Sequence, residues 1–132
     1  MTLADWCILA AALLPLVALA PAKMLGGQDY DNARPRAPSF YGEGWRSRAW
    51  GAHLNGYEAF PFFAAAVLLA EMRQAPQGLV DALAIAFTAA RIGYVGAYLS
   101  DRPRLRSGLW AIGLILNIAL MVAPALAGEW HE

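Results

Sequence analysis

Two stretches of the chain carry groups able to do chemistry in apolar surroundings. AHLNGYEAFPFF brings His53, Asn55 and Glu58, and ARIGYVGAYL brings Arg91, Tyr94 and Tyr98. Residues spaced by three, four or seven share a helical face. Arg48, Asn55, Glu58 and Phe62 therefore form one stripe, and Arg91, Tyr94 and Tyr98 form another. If the stripes face each other, Glu58 gains Arg91 as a cationic partner, and Asn55 and the phenols complete its hydrogen bonds. Read conservatively, this is an ion pair that fixes helix register. The polar groups exceed what one pair needs, however, and DRPRLR adds Arg102, Arg104 and Arg106 at the same depth. Such a cluster suits an anionic, peptide-like ligand, because carboxylates take bidentate Arg partners. A Tyr or Arg beside a sulfur also holds a thiol as its reactive thiolate.

His53 lies about 200° round the helix from Asn55, off that stripe. A polar contact at a helix or subunit interface suits it better than haem or metal ligation, because the other histidine, His131, is at the far end of the chain. Cys7 is the single cysteine, so no intrachain disulfide and no thiolate-built zinc site is expected, and it reads as a small hydrophobe.

These groups need elements to hold them. Of 132 residues, 59% are hydrophobic and 15% charged, against about a quarter charged in soluble domains. That composition indicates a membrane protein, all-α, in which a charge within a span costs about 3 kcal/mol and so faces the bundle interior. Zero net charge and no basic tail give no reason to expect nucleic acid as a partner. A bilayer core needs roughly 20 helical residues per crossing. Four segments reach that length, at 4–25, 47–71, 79–100 and 107–127, in one domain covering 1–132. The first carries Asp5 and lacks a basic leader, so it reads as a retained helix rather than a signal peptide. GGQDYDNARPRAPSFYGEGW reads as an ordered, irregular loop, QAPQG as a tight turn, and DRPRLR as the link between spans three and four.

Lys23, Arg34, Arg36, Arg46 and Arg48 flank the first loop and Arg102, Arg104 and Arg106 lie in the third, with Arg73 opposite them. Basic residues stay on the cytoplasmic side, which puts loops one and three there and both termini across the membrane. Trp6, Trp45 and Trp130 near span ends read as interfacial anchors.

Asn-x-x-Glu with its nearby Pro in AHLNGYEAFPFF, together with ARIGYVGAYL and four spans in this order, resembles the MAPEG family, the membrane-associated proteins in eicosanoid and glutathione metabolism. YDNARPR resembles its bacterial branch, which implies the bacterial inner membrane. The resemblance implies a homotrimer of four-helix subunits surrounded by membrane lipid. Glutathione, as co-substrate, would sit bent between neighbouring subunits near the cytoplasmic face, and a lipophilic small-molecule substrate would enter from the bilayer. Asn55 and Glu58 carry over as holders of the glutathione backbone and amino group, and Arg91, Tyr94 and Tyr98 as the rest of the site. The thiolate-stabilising Arg at the start of span four aligns best with Arg106, with Arg104 as the alternative. Gly51 and Leu54 stand where eicosanoid-forming members carry Arg, and Arg48, one turn further out, is the substitute. Trp110 lies near the place of an expected Tyr. The activity implied is a glutathione-dependent transferase or peroxidase acting on lipophilic electrophiles or hydroperoxides. The alternative is a non-enzymatic trimeric or accessory membrane protein, associated with lipid or other membrane proteins, that keeps the polar core as structure.

Overall fold

The computed structural model describes residues 1–128, so Trp130, expected as an interfacial anchor, and His131 lie outside the described residues. Its elements are α1 (Leu3–Met24), a 3-10 turn at Gly27–Asp29, α2 (Pro38–Tyr41), α3 (Trp45–Met72), α4 (Gln77–Leu99) and α5 (Pro103–Gly128). α1, α4 and α5 are long and apolar enough to cross a membrane. α3 is the longest at 28 residues, yet it has no comparably apolar window, because its first half holds the polar stripe. The expectation of four apolar spans is thus met by three helices on composition.

Local chemistry sets the helix ends. The Thr2 hydroxyl accepts from the Asp5 amide while Asp5 accepts from the Thr2 amide, a capping box that starts α1. Pro103 opens α5, a position where its missing N–H costs nothing and its fixed φ already suits a helix. Arg104 and Arg106 are therefore helical, and only Ser100–Arg102 connects the last two helices, where a longer link was expected. The QAPQG turn is Arg73–Pro76, with Gln74 at φ 59°.

α3 and α4 form the middle of the bundle, and α1 and α5 flank them. Apolar surface gains little by leaving lipid, so close approach of small residues has to bring the helices together. Ala4, Ala11, Ala18 and Ala22 on α1 meet Ala49, Ala52, Ala66 and Ala70 on α3 and Ala84 on α4, all buried. Phe63 and Phe87 stack at 4.1 Å between α3 and α4, both buried in this core. Where α1 crosses α3, a methyl group on Gly56 would overlap the Pro15 ring. Beside it, buried His53 bonds through Nδ1 to the Pro15 carbonyl at 2.8 Å, the polar interface contact expected of it. Cys7 is half-buried against the same core.

Each end of the bundle is tied differently. At the end holding the N-terminus, the Thr2 hydroxyl donates to Glu71 at 3.2 Å. Asp81 accepts there from the Ala4 amide at 3.0 Å, which joins α1 to α4, and from the Gln77 side-chain amide at 2.7 Å. At the other end the first loop folds back onto α3. Tyr30, Phe40, Tyr41 and Trp50 form a chain of ring contacts, with Tyr41 and Trp50 stacked at 4.5 Å. Arg46 lies over Phe40 and forms an ion pair with Asp29 at 3.7 Å. The Tyr41 hydroxyl donates to the Pro35 carbonyl at 2.6 Å. Burial, with help from Tyr30, raises the Tyr41 phenol above its ordinary range, and Arg36 opposes the rise.

Candidate functional site

The loop end of the bundle contains a groove between α3 and α5, floored by α4. Its outer part is a cavity of about 440 Å³, lined by Gly51, Leu54, Asn55 and Glu58 of α3, Tyr94 and Tyr98 of α4, and Arg106, Ser107 and Trp110 of α5. That volume falls in the range of small-molecule sites. Asn55, Glu58 and Trp110 also line a deeper chamber of about 190 Å³, which Arg91, Phe87, Gly113 and Asn117 help to enclose.

Helical spacing explains how each wall is built. On α4, Tyr98, Tyr94, Arg91 and Phe87 descend one face in steps of four, three and four residues. On α5, Arg106, Trp110, Gly113 and Asn117 descend another in steps of four, three and four. Starting α5 at Pro103 places Arg106 at the mouth, with its guanidinium 4.6 Å over the Tyr98 ring. Arg106 lines the cavity; Arg104 is not among its walls. Tyr94 and Tyr98 meet edge to face at 5.7 Å.

Arg91 departs from the expected pairing. Glu58 is exposed on the groove, while Arg91 is only 4% exposed and turns inward over the Tyr94 ring at 4.1 Å. Among the described residues the one ion pair is Arg46–Asp29, so Glu58 and Arg91 do not form the predicted salt bridge. Arg91 Nη2, Asn55 Oδ1 and Asn117 Oδ1 are buried with no hydrogen-bond partner. Arg48 also goes elsewhere. Its Nε donates to the Leu99 carbonyl at 3.2 Å, which ties α3 to the C-terminal end of α4 outside the cavity.

Gly51 has a physical role that sequence reading did not assign. A methyl group there would overlap the Tyr98 hydroxyl, so the glycine clears the space in which the phenol reaches the groove. Ser107 and Asn117 were not expected in the walls either, although the period of α5 puts Asn117 on the Arg106 face once the helix start is known. Chemically, the cavity combines a cation, two phenols, an amide and a carboxylate. The guanidinium favours an anion such as a thiolate, and the carboxylate accepts from an ammonium group.

Fold and site together define a helical membrane protein with a polar groove sunk between its helices. The MAPEG family profile matches residues 3–126, and the chain belongs to that family. No curated protein and no solved structure matches the chain significantly.

Proposed function

We propose that the protein is a glutathione-dependent transferase or peroxidase acting on lipophilic electrophiles or hydroperoxides. Membership of a family that includes glutathione-dependent transferases supports the class of reaction. The observation that carries the reading is the single cavity shared by Asn55, Glu58, Tyr94, Tyr98 and Arg106. Glu58 and Asn55 orient the tripeptide through its amino group and backbone. Arg106, supported on the Tyr98 ring, lowers the thiol pKa, and the thiolate attacks an acceptor that arrives along the apolar flank of α5.

The working unit we propose is a homotrimer in the inner membrane, with loops one and three cytoplasmic. The groove opens on the outside of the bundle, where a neighbour can cover it. On the opposite side of α3, Lys23 and Arg36 line a second cavity of about 380 Å³ beside Trp50 and His53, and they offer the cations that a tripeptide's carboxylates need across such an interface. The skew of basic residues toward these loops supports the sidedness. The test is conjugation of glutathione to a generic aromatic electrophile by purified protein whose native mass in detergent is that of a trimer. Turnover above the solution rate supports the proposal, and absence of turnover by folded trimer refutes it. Glutathione binding without turnover would favour the accessory-protein alternative.

A further inference from the structure

The deeper chamber holds an imbalance of hydrogen-bonding groups. Leaving a buried polar atom without a partner costs about 1–3 kcal/mol, so native interiors seldom keep several together unless something fills the space. Here Arg91 Nη2 lacks an acceptor, while Asn55 Oδ1 and Asn117 Oδ1 lack donors, and all three residues line the same chamber. Arg91 and Asn117 are each only 4% exposed. Phe62, Phe87 and Leu114 supply the apolar part of the wall.

We infer that this chamber is a subsite for a neutral hydroxyl group carried on an apolar chain, with Asn117 and Arg91 as its polar contacts. A hydroxyl oxygen accepts from the guanidinium while its proton goes to an amide oxygen, so one group satisfies both kinds of orphan. A carboxylate would answer Arg91 and leave the amide oxygens unmet. Charge points the same way, because Glu58 lines the same chamber and offsets Arg91 without pairing to it, so no further anion is required. Asn117 lies eleven residues beyond Arg106 on α5, or about 16 Å further along the helix. The hydroxyl therefore belongs at the far end of a lipophilic molecule whose reactive end meets the groove mouth. This deepens the proposed transferase reading and rests on it for the identity of the molecule as a substrate.

Two measurements separate the inference from that reading. The first is direct binding, without glutathione, of a fluorescent medium-chain terminal alcohol, its methyl-terminated analogue and its carboxylate analogue to the intact detergent-solubilised protein. The alcohol is expected to bind at least about tenfold tighter than the methyl analogue, the effect of accepting from Arg91 while donating to Asn117, and Asn117→Leu, which keeps only the Arg91 contact, to cut that preference severalfold. The second is the ratio of kcat/KM for terminally hydroxylated and plain 2-alkenals of equal length, which is expected to fall toward one in Asn117→Leu and to be recovered in part by Asn117→Gln. Equal binding of alcohol and methyl analogue, or a preference unchanged in Asn117→Leu, overturns the inference and leaves the chamber to water. Tighter binding of the carboxylate than the alcohol overturns it as well. Alcohol binding that depends on Asn117, in a protein that does not conjugate glutathione, upholds the subsite and refutes the transferase reading alone.

Discussion

The two ends of the bundle treat polar side chains in opposite ways. At the N-terminal end, Thr2, Asp5, Glu71, Gln77 and Asp81 answer one another and the first amides of α1 through short hydrogen bonds. At the groove, Asn55, Arg91 and Asn117 keep atoms with no partner, and Glu58 stands exposed without the Arg91 pair that helical spacing suggested. The first arrangement spends its polarity on holding helices together. The second leaves donors and acceptors without partners, at a cost in stability.

Substitutions at the two ends should separate accordingly. Arg106→Ala is expected to lower kcat/KM for glutathione conjugation by about 10²–10³, the range for loss of one group that stabilises a reacting anion, with a melting temperature near that of the parent. A decline in kcat/KM of less than tenfold would place the thiolate elsewhere. Asp81→Ala reverses the pattern. It strips the Ala4 amide and Gln77 of their acceptor, so a loss of about 1–3 kcal/mol in stability is expected in denaturant titration, with kcat/KM of the folded fraction unchanged. Gly51→Ala falls between them, because the added methyl group must push the Tyr98 hydroxyl aside. A severalfold rise in KM for glutathione is expected, and an unchanged KM would mean that Tyr98 does not touch the ligand.

The smallest effect belongs to the first loop. Tyr41→Phe removes the hydrogen bond to Pro35 and should cost about 1 kcal/mol, read as faster proteolysis of the loop. Because burial raises the Tyr41 phenol in the folded state, its contribution is complete below the unfolded pKa of about 10 and is lost as pH rises through the higher folded value. The parent loop should therefore become protease-sensitive in strong alkali, and Tyr41→Phe should remove this pH dependence.

Much of the architecture was legible because helical period and apolar length are local properties. Asn55 and Glu58, and likewise Tyr94 and Tyr98, fall three and four residues apart, and the structure sets both pairs on one cavity. The pairing of Glu58 with Arg91 that helical spacing suggested does not form, since it depends on how α3 and α4 are rotated about their axes, and Arg91 turns onto Tyr94 instead. The early start of α5 was hidden by Pro103, which reads as a linker residue and serves as the first helical one. α2 has four residues and no cap from its own side chains, so its form depends on packing with Tyr30 and Trp50, which no local pattern announces. Gly51 looked like a missing arginine until the position of Tyr98 gave it a purpose.

Calorimetric titration of glutathione into the purified, folded protein, alongside Glu58→Gln and Asp81→Ala, decides whether the groove holds the tripeptide. The parent and Asp81→Ala are expected to bind saturably at or below millimolar concentration. Glu58→Gln, which loses a charge-assisted contact with the ligand's ammonium group, should bind at least about tenfold more weakly. No binding by the parent at millimolar glutathione, or equal binding by Glu58→Gln, would contradict the account.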